Sequence, residues 1–120
     1  MNTTSKHKGD YGEGVAEGYL AAKGYTILAQ NFKKNGNEID IVAEDGGYIV
    51  FVEVKYRRGT SFGSGLEAIT PAKARRIFRA AKAYLYDNNK WDAPCRFDII
   101  EIFGSEELEV NHFENAFWER

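Results

Sequence analysis

The chain is poor in the residues that announce a stapled or metal-clustered fold. Its one cysteine, Cys95, allows no disulfide within the chain, and so gives no sign of an oxidising compartment. Its two histidines are far apart: His7 lies in a polar leader, and His112 has no second metal-type residue at ligand spacing. Two prolines, Pro71 and Pro94, leave no room for a proline-rich linker, and no internal repeat or low-complexity tract is visible. No apolar run approaches the length of a membrane span. Met1 to Gly9 is polar and lacks the apolar centre of a signal peptide, so the cytoplasm is the expected compartment.

What is present describes one soluble domain. The chain has 120 residues, 43% of them hydrophobic and 28% charged. Residues 1–9 are expected to form a disordered tail and residues 10–120 a single domain. A net charge of −2 argues against a general nucleic-acid coat protein, but the charge is unevenly spread. Between Lys55 and Lys82 there are eight basic residues and one acid, Glu67, for a net +7; from Asp92 to Arg120 the balance is −6. A basic middle beside an acidic end implies one basic surface.

The apolar spacing of Tyr11, Val15, Tyr19, Leu20 and Ala22 predicts a helix over residues 10–23, with Asp10 as N-cap and Gly24 as the stop. Strands are predicted over residues 25–32, 37–43 and 48–56, separated by the turn signals Asn35-Gly36 and Asp45-Gly46-Gly47. The third, with Ile49-Val50-Phe51-Val52 apolar on both faces, reads as a central strand. Thr70-Pro71 opens a second helix ending near Asp87-Asn88, on which Ala74, Ile77, Phe78, Ala81, Tyr84 and Leu85 make one apolar stripe. A fourth strand follows over residues 95–103, where Cys95 is expected in the core and Arg96 and Asp98 to pair; residues 108–117 can supply a fifth. The order α-β-β-β-α-β predicts an α/β fold. Its mixed sheet has three antiparallel strands, a helical crossover to a parallel fourth, and flanking helices.

The chemistry gathers on the second and third strands. By alternation Glu38, Asp40 and Val42 share a face, as do Ile49, Phe51, Glu53 and Lys55. If Gly46-Gly47 form the turn, Asp40 lies opposite Glu53; if Asp45-Gly46 do, Asp40 is diagonal to it. Either register brings Asp40, Glu53 and Lys55 to one face unless a bulge intervenes. An acid and a lysine two apart on a strand are ordinarily a solvated pair. Here the pair ends an apolar central strand, faces a second acid and opens the basic segment. Two facing, partly desolvated carboxylates repel, and a divalent cation offsets both costs. Oxygen ligands with room for water suit Mg2+ or Mn2+, with the Val54 carbonyl as a further ligand. Lys55 beside such an ion can orient and help deprotonate a water, or meet the charge of a phosphorane-like transition state. Glu13, early on the first helix, reads either as an acid favoured by the helix dipole or as a carboxylate reaching the metal, through water. Glu38 is expected to play a minor part. Arg57, Arg58, Lys73, Arg76 and Arg79, with the loop around Ser61, Gly63 and Ser64, are the candidate contacts to a nucleic-acid backbone.

Asn37-Glu38-Ile39-Asp40-Ile41-Val42-Ala43 followed by Phe51-Val52-Glu53-Val54-Lys55 resembles the Asp…Glu-x-Lys signature of the PD-(D/E)XK nuclease superfamily, whose restriction-endonuclease-like core has the same element order. More narrowly, Gly12-Glu13, Tyr19-Leu20, Gly24-Tyr25, Phe62-Gly63, Ala68-Ile69-Thr70-Pro71 and Cys95-Arg96-Phe97-Asp98 resemble the YraN family of small bacterial proteins, treated as endonucleases and similar in core to archaeal Holliday-junction resolvases. The likeness runs from about Gly12 to Phe103. It implies that Asp40 and Glu53 are metal ligands, Lys55 the catalytic lysine, and Glu13 the helix-one carboxylate of the resolvase-like branch. The implied substrate is DNA, branched DNA included, and a junction-cutting role implies a homodimer. Ile39 stands where proline often precedes the aspartate, and Asn37 where the family usually has glycine. The rival expectations are a non-catalytic nucleic-acid-binding protein with a nuclease-like fold, and a module that binds a protein partner through its acidic end.

Overall fold

A computed structural model of the chain describes residues 4–58, 69–104 and 108–118, with side chains from residue 11 onward except at Arg58. In chain order the elements are α1 (Thr4–Ala22), β1 (Thr26–Lys34), β2 (Asn37–Asp45), β3 (Tyr48–Arg58), α2 (Pro71–Asp87), β4 (Cys95–Gly104) and β5 (Leu108–Phe117). The strands form one sheet in the order β1-β2-β3-β4-β5. β1 to β3 are antiparallel neighbours, β4 runs parallel to β3 after the α2 crossover, and β5 returns antiparallel to β4. The predicted mixed α/β fold and the order of its elements are therefore observed, with the fifth strand added.

The sheet is covered on both faces. On one, Ile77, Phe78, Ala81, Tyr84 and Leu85 of α2 pack on Val42, Ile49, Phe51 and Phe97. On the other, Ala16 and Leu20 of α1 pack on Ile41, Val50, Val52, Ile100 and Ile102. Strands β3 and β4 supply both cores, which is why their apolar residues run on without alternation. Cys95, expected in the core, is exposed: it is the first residue of β4, before the strand passes between the helices.

Turn chemistry fixes most boundaries. Gly24 has φ +94°, Tyr25 N–H donates to the Leu20 carbonyl at 3.0 Å and Gly24 N–H to the Ala21 carbonyl at 3.0 Å, a Schellman ending for α1. Thr70 caps α2, its Oγ1 accepting from Lys73 N–H at 3.1 Å, with Pro71 in the first turn. The start of α1 differs from expectation. The helix begins at Thr4, so Asp10 lies within it and is not its N-cap. From Val15 to Leu20 its packing on the sheet offsets the poor helix propensity of its glycines. A Cβ at Gly12 would lie 3.4 Å from Tyr56 Cβ, an ordinary contact, so α1 lies close against β3 at this point.

A candidate metal and nucleic-acid site between the second and third strands

Strand β2 presents Asp40 through a break in its own regularity. The β2–β3 hairpin turns at Gly46 (φ 57°) and Gly47 (φ 90°), pairing Asp45 with Tyr48 and Ile41 with Val52. This is the register that sets Asp40 level with Glu53. Alternation nevertheless fails at Asp40. Ile39 belongs to the core under α2, whereas Ile41, two residues on, belongs to the core under α1. Opposite this point on β1, Asn31 adopts φ 49°, between the pairs Gln30–Ile41 and Phe32–Ile39. A left-handed residue rotates the strand locally, so that two residues on each strand change faces together. The Asp40 carboxylate is turned along the sheet instead, and its Oδ2 accepts the Val54 N–H at 2.8 Å. The expected common face of Glu38, Asp40 and Val42 is thus replaced by a carboxylate wedged between β2 and β3.

Glu53 is buried on β3, and Lys73 Nζ from the first turn of α2 lies 3.0 Å from its Oε1. Lys55 completes a group of four interacting charges. Burial and then the Glu53 carboxylate push Asp40 up to about 7, against the stabilising Val54 N–H. Burial lowers Lys55, and the neighbouring Lys73 lowers it further. Burial opposes the charge on Lys73 as well, but the Glu53 carboxylate outweighs it, and the Lys73 ammonium is held above its ordinary value. Asp40 and Glu53 therefore share a region that favours less negative charge than two ionised carboxylates carry.

That imbalance is the test for a metal. Among the described residues no group of three or more His, Cys, Asp and Glu side chains is disposed to hold one. Two carboxylates are a small donor set, suited to an ion that keeps most of its waters, as Mg2+ does. Their mutual repulsion, read in the raised Asp40, and the ammonium that Glu53 has drawn to itself both fit a cation site.

The other predicted residues divide. Arg76 and Arg79 are exposed on α2, and Arg76 lines, with Gly36, Glu38, Ile77 and the Glu53-paired Lys73, a cleft of about 300 Å³. Lys73, expected on the solvent-facing basic side, turns inward to Glu53. It precedes the buried Ile77 by one helical turn and so borders the apolar stripe. Arg57 is also turned inward. Its Nε lies 2.6 Å from Oε2 of the fully buried Glu101, but without hydrogen-bond alignment, so Arg57 Nε and both Glu101 oxygens lack a hydrogen-bond partner among the described residues. Glu13 is half-buried on α1, on the helix that covers the opposite face from α2. The side chain of Arg58 and the loop with Ser61, Gly63 and Ser64 lie outside the described residues, as do Phe62 and Ala68.

Two residues with large roles were missed or underweighted. Glu101 has the same strand parity as Phe97 and Ile99, and that placement within an apolar strand was the signal for a buried acid needing a cation. His112 is not isolated. Its Nε2 lies 2.8 Å from Asp98 Oδ2 and its Nδ1 2.9 Å from Lys23 Nζ. Asp98 is fully buried and also accepts from Arg96 Nε at 3.0 Å, Arg96 Nη2 at 3.1 Å and Asn115 N–H at 2.9 Å. The expected Arg96–Asp98 pair is thus the centre of a lock joining β4, β5 and Lys23, just after α1. Burial raises Asp98, but His112 and Arg96 outweigh it and hold its carboxyl below the usual carboxylate value.

Fold and site together define a class: a mixed α/β domain with a carboxylate pair on β2 and β3 and two attendant lysines. The chain belongs to the family described as uncharacterised protein family UPF0102, whose model matches residues 12–102. It is similar to the UPF0102 protein of Symbiobacterium thermophilum, 44% identical over 115 residues that cover 94% of this chain and 98% of that one. A UPF0102 protein of Geobacter metallireducens is 43% identical over 118 residues, covering 98% and 97% of the two chains. One of Chlorobium limicola is 40% identical over 118 residues, covering 92% of each. Among the described residues no helix is long and apolar enough to cross a membrane.

Proposed function

We propose that this protein is a metal-dependent endonuclease of the PD-(D/E)XK type, hydrolysing phosphodiester bonds in DNA, with branched or junction DNA as the favoured form. The observation that carries the reading is the convergence of Asp40, Glu53, Lys55 and Lys73, from three elements, on one desolvated spot beside a basic helix. Asp40, Glu53 and the Val54 carbonyl would hold Mg2+ or Mn2+, with Glu13 reaching it through water. The ion would supply Lewis-acid polarisation of the phosphate and a more acidic water.

The chain's own residues carry the remaining tasks. The Val54 N–H fixes one Asp40 oxygen, and the Asp40 carboxyl also meets the Glu53 side chain. Lys55, lowered by burial and by Lys73, gives up a proton more readily than an exposed lysine, so it can accept one from the attacking water. In its charged form it faces the negative charge that grows on phosphorus. Arg76 and Arg79, with Lys73 and the side chains of Arg57 and Arg58, are the proposed backbone contacts. They fix the position of the strand without reading its sequence. A junction substrate calls for two sites acting together, hence a homodimer, and the proposed compartment is the cytoplasm. A second reading, nucleic-acid binding without turnover, draws on the ion pair that already engages Glu53.

Linear, flapped and four-way-junction DNA and the matching RNAs, incubated with Mg2+, Mn2+ or EDTA, test the reading. Cleavage of DNA that requires metal supports it. Salt-sensitive binding with no cleavage in either metal supports the second reading.

A further inference from the structure

The first turn of α2 places a cation where helix electrostatics disfavours one. Lys73 is the third residue of the helix, and no acid accompanies it there. The N-terminal end of a helix is its positive pole, and an ammonium on it is repelled. The Thr70 cap and Pro71 nevertheless hold that turn in place, and the Lys73 side chain, only 37% exposed, reaches Glu53. Its neighbours on the same helix, Arg75, Arg76 and Arg79, stay exposed. Of these four cations of α2, Lys73 is the one that reaches Glu53.

We propose that Lys73 is the site's internal counter-ion: its ammonium neutralises Glu53 in the metal-free protein, and a divalent cation binds by displacing it. The proposal rests on the metal-site reading above and deepens it. One carboxylate oxygen cannot keep an ammonium at 3.0 Å and ligate a divalent ion on the same side without close repulsion between the two cations. Displaced, Lys73 stands at the mouth of the cleft with Arg76 and Gly36, where an entering phosphate group would meet it. The exchange links ion binding to the presentation of a phosphate-binding lysine. It also guards the empty site, because Asp40 and Glu53 are never left facing each other without positive charge.

The readout is Mn2+ affinity by electron paramagnetic resonance, without nucleic acid, on the full chain and on Lys73→Met, Lys73→Gln, Arg75→Met and Glu53→Gln. Thermal melts in EDTA are recorded alongside. Removing a competing ammonium is expected to tighten Mn2+ binding by about tenfold or more in both Lys73 variants, the range typical of outer-shell changes at metal sites. Their melting temperatures in EDTA should fall, and Mn2+ should restore them. Arg75→Met, which removes an exposed charge from the same helix, should change neither. Equal affinities in wild type and both Lys73 variants, with Glu53→Gln still abolishing binding, would overturn the displacement and leave the metal site intact. An Arg75→Met gain equal to that of Lys73→Met would overturn it too, since net charge alone would then explain the effect. No Mn2+ binding by any form would remove both the displacement and the metal site it rests on.

Discussion

Asp40 Oδ2 accepts the backbone N–H of Val54 at 2.8 Å, a side chain of β2 taking a main-chain bond of β3 just beyond the last regular pair, Ile41 with Val52. This one contact ends the ladder, stations a carboxylate between two strands and ties it to the segment that carries Glu53 and Lys55. The site is thus built into the sheet and does not hang from a loop.

That position has a cost in stability that depends on pH. Asp40 is raised to about 7 by burial and Glu53, whereas a carboxyl in the unfolded chain titrates near 3.9. The native state therefore holds a proton that the unfolded state has released, and stability from this group falls as pH rises from about 4 through about 7. Asp40→Asn removes the penalty and can still accept the Val54 N–H. Urea melts in EDTA should show the variant more stable than wild type by roughly 1–3 kcal/mol at pH 8, with the gap closing near pH 4.

Added metal should reverse that order. A ligand that binds only the native state at a hundred times its Kd stabilises by about 2.7 kcal/mol. Millimolar Mg2+ or Mn2+ should raise the wild-type melting temperature by several degrees and leave Asp40→Asn and Glu53→Gln nearly unmoved. Differential scanning fluorimetry at matched ionic strength reads this directly, with Na+ as the control for screening.

Arg57 should behave as a structural residue as well as a phosphate contact. It is the cation beside Glu101, whose carboxylate is fully buried. Removing one partner of a buried pair costs about 3–5 kcal/mol, whereas replacing both with apolar groups is often neutral. Arg57→Ala should lose that much in chemical denaturation, and Arg57→Leu combined with Glu101→Leu should recover most of it. A simple phosphate contact would instead leave stability unchanged.

Asp98 predicts the acid limb of the stability profile. Its folded value is lowered by His112, Arg96 and the Asn115 N–H against the effect of burial. Its contribution is present above the unfolded value near 3.9 and is lost as pH falls through the lower folded value. Asp98→Ala, which takes the buried partner from His112 and leaves Arg96 only Asp45, Glu114 and the Tyr25 hydroxyl, should destabilise by about 3 kcal/mol at pH 7, and its stability should vary less with pH than wild type below pH 4.

Much of this was legible in the residues, and for definable reasons. The turn glycines Gly46 and Gly47 left two registers, and both brought Asp40 to Glu53. Thr70-Pro71 marked α2 to the residue, and the unbroken apolar run of β3 announced a strand buried on both faces. The start of α1 at Thr4 falls in a polar run with no apolar spacing to announce a helix. What else escaped depended on contacts distant in sequence. The twist at Asn31 and Asp40 involves two strands at once, so strict alternation on either one misplaced Asp40. Lys73 looked like its neighbouring arginines because only the fold brings Glu53 within its reach. Arg57 looked like a phosphate contact because Glu101 is 44 residues away in the sequence and adjacent only in the sheet.

The central claim is that Glu53 and Lys55 work together on a phosphodiester bond. The direct measurement is single-turnover cleavage of a labelled four-way junction in Mg2+ by wild type, Glu53→Gln and Lys55→Met, with junction binding measured on the same preparations. Loss of the cleavage rate by about a hundredfold or more in each variant, with binding kept within a few-fold, is the predicted result. Cleavage by Glu53→Gln or Lys55→Met at the wild-type rate, or none by wild type on a junction it binds, would contradict it.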